Sequence, residues 1–217
     1  GLGEVLYDPT GTYQCGDTVI MIPNTPCEKD EVIAENYLRS SKFRASGFDG
    51  FMQEHVALDI DRVVPVDGSI DKVIAAFTEL VSVSVHAIRR FDSIAHKRRK
   101  AVGIWGDGNL GYITAIFFKA MFPNTKLYIL GVDQEKLSGF SFADDTFSVS
   151  DIPDDLYIDH AFECVGGAAS QQAINQIIDH IQPEGTISIL GVSEYPVPIN
   201  TRMVLEKSLR IFGSSRS

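Results

Sequence analysis

Apolar and polar positions divide the chain into two parts of different character. Up to about residue 70 the apolar residues come in short clusters. Gly3–Tyr7, Asp17–Ile22, Glu54–Asp59 and Arg62–Val66 each read as a short strand, with turn signals at Asp8-Pro9-Thr10-Gly11 and Phe48-Asp49-Gly50-Phe51. Residues 24–46 show no period and are expected to form a long packed or functional loop. From Lys72 the pattern changes. Val73, Ala76, Phe77, Leu80, Val81, Ser84, Ala87 and Ile88 recur at steps of three and four, which predicts one helix over Lys72–Phe91. Strands and helices then alternate. Ala101–Trp105, Lys126–Leu130, Thr146–Val149, Ala161–Val165, Thr186–Val192 and Leu209–Phe212 read as strands, and Tyr112–Met121, Gln134–Phe140 and Ser170–Ile181 as helices. Such alternation implies right-handed crossovers and a doubly wound parallel sheet. The expected division is an all-β part over residues 1–78 and an α/β Rossmann part over 79–217.

One turn in this pattern carries chemistry. Gly106, Gly108 and Gly111 follow the apolar strand Ala101–Trp105 in the spacing G-x-G-x-x-G and open the helix at Tyr112–Met121. Strand, glycine turn and helix together form the context in which this motif reads as dinucleotide binding. The first glycine makes the tight turn, the second lets backbone approach a pyrophosphate, and the third lets the helix pack on the strand. The free amides of Asn109, Leu110 and Gly111 at the helix start favour the anion.

Composition narrows the partners. The 217 residues are 44% hydrophobic and 22% charged, ordinary for a globular protein, with a net charge of -10. That balance argues against nucleic acid as the main partner, because phosphate contacts need clustered cations. The basic run His96-Lys97-Arg98-Arg99-Lys100 is expected to be a solvated connection. No stretch is long and apolar enough for a transmembrane helix, and the start Gly1-Leu2-Gly3-Glu4-Val5 has no signal-peptide character. Without an initiating Met, a fragment or processed chain is expected. Cys15, Cys27 and Cys164 are widely spaced and form no C-x-x-C, which fits a reducing, cytoplasmic setting.

Several stretches resemble the medium-chain alcohol and polyol dehydrogenases. Phe51-Met52-Gln53-Glu54-His55-Val56 after Asp49-Gly50 is similar to their D-G-x-F-x-E-Y-V, and Thr78 to Ala87 to their E-P-L-S-V-x-x-H-A helix start. Phe162-Glu163-Cys164-Val165-Gly166 matches their F-E-C-V-G. Within that class, Pro23–Pro26, Ala34–Leu38, Gly47–Glu54, Gly103–Ala115 and Gly191–Pro196 resemble the bacterial ribulose-5-phosphate reductases of ribitol-phosphate teichoic acid and capsule synthesis. The resemblance implies a Rossmann domain joined to part of an all-β GroES-like catalytic domain. It also implies NADPH-dependent reduction of D-ribulose 5-phosphate, a sugar-phosphate substrate, and a cytidylyltransferase that takes the product to CDP-ribitol. A homodimer, a cytoplasmic location and a catalytic zinc follow from it too. The family's Cys and His-Glu zinc ligands would lie before Gly1 and are not in this chain, so Glu79 is left as the one candidate catalytic and metal-binding residue. The chain as given is expected to bind little catalytic zinc and to show little activity, since catalytic zinc has three protein ligands. Two other readings stand beside this one: a zinc-dependent dehydrogenase of another polyol or alcohol, and a dinucleotide-binding module without catalysis.

Cofactor choice turns on the end of the second Rossmann strand, where NAD enzymes place an acid. If the strand ends at Leu130, that position is Gly131, a 2′-phosphate has room, and Lys136 is placed to neutralise it. If the register slips by two, Asp133 takes the position and NAD is favoured. The resemblance favours NADP(H). Cys164 and Val165 are expected to line the cofactor cleft by backbone, and Gly191, Val192, Ser193 and Ser214 to face its nicotinamide half. His86 reads as a buried structural histidine. Arg39, Lys42 and Arg44 are candidates for a substrate phosphate or for a solvated loop.

Overall fold

The computed structural model describes residues 1–216. They divide into two compact units, residues 1–82 with Arg216 and residues 83–215.

In the first unit, β1 (Leu2–Glu4) pairs antiparallel with β2 (Thr18–Met21). The two residues of β3 (Asn24–Thr25) pair with those of β4 (Lys42–Phe43). β5 (Val63–Pro65) completes a three-stranded sheet on β2. The expected strand at Glu54–Asp59 does not form. Val56 and Leu58 do turn inward between exposed neighbours, but no strand pairs with them, and the Arg44 guanidinium donates to the Ala57 carbonyl at 3.2 Å. Residues 27–35 of the long loop are exposed, while Asn24, Asn36 and Leu38 turn inward, and Arg62 ties Asn24 to Glu35. Its guanidinium donates to Glu35 at 2.8 Å, to Asp61 at 3.1 Å and to the Asn24 carbonyl at 3.3 Å. The Arg62 hydrogen bond holds the Glu35 carboxyl below the usual range.

The single helix expected from Lys72 is broken in two. α1 (Lys72–Ala75) starts at Asp71, whose carboxylate accepts the amides of Val73 and Ile74. α2 runs over Thr78–Ile94. At the break the Thr78 hydroxyl donates to the Ala75 carbonyl at 2.7 Å, a local bond that competes with helical continuation. The division between the units falls inside α2, after Ser82.

The second unit is built on six strands in which every pairing is parallel. They are β6 (Ala101–Trp105), β7 (Lys126–Gly131), β8 (Asp145–Ser148), β9 (Ile158–Glu163), β10 (Ile181–Ile189) and β11 (Arg210–Gly213). Their spatial order is β11-β10-β9-β6-β7-β8. Helices α3 (Asn109–Met121), α4 (Gln134–Ser138), α5 (Ser170–His180) and α6 (Thr201–Glu206) make the connections. α6 was not expected, although Asn200 before Thr201 is a capping signal; its side chain accepts the Met203 amide.

The central strand explains the layering. All five residues of β6 are buried, as expected for a parallel strand covered on both faces. Val102 and Ile104 pack with Ile88 and Phe91 of α2 and with Ala115 and Phe118 of α3. Ala101 and Trp105 pack with Ala173, Ile174, Ile177 and Ile178 of α5. Alternate side chains therefore face opposite helical layers, and the glycine turn leaves the middle of the sheet.

In the basic run before β6, Lys97, Arg98 and Lys100 are exposed, as expected of a solvated connection, while Arg99 is held in. Arg99 donates to Asp92 at 2.6 Å and lies over the rings of Phe91 and Phe122, with its side chain 9% exposed. Arg98 donates to the buried Asp159 at 2.6 Å, and that carboxylate also accepts the amides of Lys100 and Ala101. The run thus ties the start of β6 to β9. Beside it the fully buried His160 accepts the Thr186 amide at Nδ1, so Nε2 carries the proton and donates to the Arg98 and His96 carbonyls. Burial, reinforced by the neighbouring His96, pushes the His160 pKa down to about 4.

Candidate functional site: a cleft at the carboxyl ends of the parallel strands

The site starts where β6 ends. Gly106 takes a φ of +128°, and its amide donates to the Leu130 carbonyl at 2.8 Å, which fixes the turn against β7. A Cβ at Gly111 would stand 1.9 Å from the Gly106 carbonyl oxygen, so this close crossing of helix and turn requires a residue without a side chain. Gly108, at the N-cap of α3, has open space where its Cβ would be. No side chain caps α3. The first amides of the helix, at Asn109, Leu110 and Gly111, therefore lack a capping side chain and suit an anion.

In front of the turn lies a cleft of about 210 Å³. Gly106, Asp107, Gly108, Gly131, Val132, Cys164 and Val165 line it, with Gln172 and Gln176 of α5. Gln176 holds its floor by accepting from the Trp105 indole at 3.2 Å and donating to the Val149 carbonyl at 2.8 Å. Of the residues expected to bind a cofactor, Gly106, Gly108, Gly131, Cys164 and Val165 come together on this cleft. Gly191, Val192 and Ser193 adjoin the β9 loop: the Gly167 amide donates to the Val192 carbonyl, and the Ser193 hydroxyl to the Gly167 carbonyl at 2.9 Å. Ser214 is buried past the end of β11, with its amide on the Ile189 carbonyl. Lys136 is not among the lining residues; its ammonium lies 3.8 Å from the Asp133 carboxylate.

The end of the second Rossmann strand is now defined. β7 runs to Gly131, and the Asp133 carboxylate caps α4 by accepting the amides of Glu135 and Lys136. Cys164 lies just past β9, buried, with its thiol 4.0 Å from the Thr114 hydroxyl. Burial and the adjacent Glu163 carboxylate push this thiol well above its usual range, so it stays protonated and is no nucleophile.

Sequence reasoning passed over two acids here. Glu163 is fully buried, and its carboxylate accepts the amides of Val165, Gly166 and Gly191 at 3.0, 2.9 and 3.2 Å. Asp107 accepts the amides of Val132 and Asp133 through Oδ2, both at 2.8 Å. A signal was available for each: an acid at the end of a buried strand and an acid inside a glycine turn both need nearby donors.

In the first unit, Glu79 sits half-buried in the first turn of α2. Among the described residues no three His, Cys, Asp or Glu side chains come together as a metal site, so this donor set does not fit a catalytic zinc. Arg39 and Lys42 are exposed, whereas Arg44 lies over the rings of Phe48 and Phe51 at 5.6 and 5.4 Å. His86 in α2 is half-buried rather than buried as expected, and burial followed by the nearby Arg90 charge lowers its pKa.

The parallel sheet, its glycine turn and the cleft at the strand ends define a Rossmann-type fold. The fold neighbours agree. L-idonate 5-dehydrogenase of Escherichia coli superposes with a TM-score of 0.86 over 99% of this chain and 65% of its own, at 22% identity. In sequence, the chain is similar to the ribulose-5-phosphate reductases. It is 58% identical over all 217 residues to ribulose-5-phosphate reductase 1 of Staphylococcus aureus and 55% identical to ribulose-5-phosphate reductase of Bacillus spizizenii. It spans 64% of the length of each of these curated relatives. The crystal structure of S. aureus TarJ in complex with NADPH is 52% identical, with a TM-score of 0.84 over the whole chain and 62% of its own length. No family model matches the chain.

Proposed function

We propose that the full-length protein reduces D-ribulose 5-phosphate to D-ribitol 5-phosphate with NADPH, and that this chain supplies its cofactor-binding half. One conjunction carries the reading: an open anion cradle at the start of α3, in a chain 58% identical throughout to a ribulose-5-phosphate reductase. The pyrophosphate sits on the amides of Asn109, Leu110 and Gly111, with Gly106 and Gly108 allowing the close approach. The adenosine ribose lies at Gly131, beside Lys136. The backbone of Cys164 and Val165 carries the middle of the cofactor, and Gly191, Val192, Ser193 and Ser214 face the nicotinamide. The NADPH complex of TarJ supports this choice of cofactor.

The chain's own part in the reaction is to bind and orient the hydride donor. The protonated Cys164 thiol leaves that wall of the cleft chemically inert. Glu79 is this chain's contribution to a zinc site of the full-length protein, and by itself a single carboxylate does not hold the ion. The reading extends to a cytidylyltransferase as consumer of the product in teichoic acid or capsule synthesis, a homodimer, and a cytoplasmic enzyme. No helix among the described residues is long and apolar enough to cross a membrane. The test is NADPH oxidation by the full-length protein with D-ribulose 5-phosphate and with unphosphorylated D-ribulose. The phosphate ester is expected to react much faster; equal rates would reject the ketose-phosphate assignment.

A further inference from the structure

In sheets of this class the group that meets the adenosine ribose stands at the end of the second strand, about twenty residues past the glycines. Here that residue is Gly131, but the space its side chain would take is not empty. A Cβ at 131 would lie 2.5 Å from Asp107 Oδ2, 2.6 Å from Asp107 Cβ and 2.7 Å from Asp107 Cγ. The carboxylate that NAD enzymes place on the strand is delivered instead from inside the glycine turn. Asp107 also takes the local donors, since its Oδ2 accepts both the Val132 and the Asp133 amides at 2.8 Å. These are main-chain N–H groups of the kind a phosphate oxygen uses. The nearby cation, Lys136 of α4, is already beside Asp133 at 3.8 Å. Asp107 itself lines the cleft.

We infer that Asp107 is the cofactor-selecting residue of this cleft: its carboxylate holds the place and the amide donors of a ribose 2′-phosphate. A phosphorylated ribose binds by displacing Asp107 from the two amides. An unphosphorylated ribose binds with Asp107 in place, its hydroxyls donating to the carboxylate. Asp107 therefore lowers the preference for NADPH over NADH. The inference rests on the nicotinamide-cofactor reading proposed above.

The test is Asp107→Asn in the full chain. Asparagine keeps an oxygen that accepts the loop amides and removes the charge, so the loop keeps its shape; a melting temperature equal to the parent's checks this. NADPH, NADH, adenosine 2′,5′-bisphosphate and 5′-AMP are titrated against parent and variant. Loss of the like-charge repulsion is expected to tighten NADPH and the bisphosphate about tenfold, with NADH and 5′-AMP unchanged or weaker. Unchanged ratios, or equal weakening of all four ligands, would overturn the inference. The parent titration judges the underlying reading separately. A parent that prefers NADH overturns the NADPH assignment and leaves Asp107 to be judged by the shift in the ratio, while a parent that binds no ligand overturns both.

Discussion

Replacing Gly111 by alanine sets one methyl group against the packing of the whole cofactor unit. The new Cβ would stand 1.9 Å from the Gly106 carbonyl oxygen and 2.9 Å from its carbon, where ordinary contact begins at 3.4 Å. One side of the crossing has to withdraw by roughly 1.5 Å, and neither is free to move. The Gly106 amide is bonded to the Leu130 carbonyl at 2.8 Å, while Ala115 and Phe118 of α3 are fully buried against the sheet. Overpacking of this kind costs about 1–3 kcal/mol, and a backbone oxygen as the obstacle places Gly111→Ala at the upper end. For a unit of this size that lowers the melting temperature by about 5–10 °C. The same shift moves the first amides of α3, so NADPH affinity falls by at least about tenfold. Gly108→Ala is the matched control. Its Cβ meets nothing within 4 Å and its φ is −85°, so the variant should melt like the parent yet, on the proposed cofactor placement, bind NADPH more weakly, because the methyl group would stand in the path of the pyrophosphate. Thermal unfolding and NADPH titration of both variants decide the matter. A Gly111→Ala protein that melts and binds like the parent would refute the close-crossing argument.

Other consequences are open to direct measurement. The His160 pKa is lowered to about 4 in the folded chain from an unfolded value of 6.5. Its contribution to stability is therefore complete above pH 6.5 and is lost as pH falls toward 4, by about 3 kcal/mol in all. Urea unfolding at a series of pH values should show this loss, and His160→Gln should flatten it; an unchanged slope in the variant would refute the assignment. Of the three free cysteines, Cys15 and Cys27 are exposed and Cys164 is buried with a raised pKa. Native alkylation at mild pH should give two adducts by mass spectrometry, and rapid appearance of a third would mean that the Cys164 environment is more open than described. The 217-residue chain, freed of loosely held metal by dialysis, should retain little zinc by elemental analysis; a stoichiometric content with turnover would contradict the single-carboxylate argument.

The α/β half was legible because its signals are local. The apolar run Ala101–Trp105 maps onto β6 residue for residue, and the glycine spacing onto the turn that follows. Sequence reasoning failed where a side chain makes a bond that the hydrophobic pattern does not announce. Glu54–Asp59 alternates like a strand but finds no pairing neighbour, and an arginine takes one of its carbonyls. The helix period from Lys72 runs smoothly through Ala76 and Phe77, yet a threonine hydroxyl interrupts it. The basic run looks solvated by composition, and Lys97 and Arg98 are indeed exposed, but Asp92 draws Arg99 in and Arg98 reaches Asp159, far along the chain. Within the site, the glycines could be found by spacing. Asp107 and Glu163 signal a need for nearby donors, but the full set does not follow from the sequence, because the Asp107 amides lie after β7 and one of the three Glu163 amides, Gly191, lies after β10.

Glu163 makes the loops after β9 and β10 a single part. One buried carboxylate grips amides from the loop after β9 and from the loop after β10, and a Cβ at Gly191 would stand 2.3 Å from the Gly166 amide and 2.6 Å from Glu163. Neither loop can be redrawn alone. A lengthened or substituted 164–167 segment releases the anchor of 190–193, and the reverse holds as well. Engineering this part of the molecule therefore means exchanging both loops together with their shared acid, as one cassette.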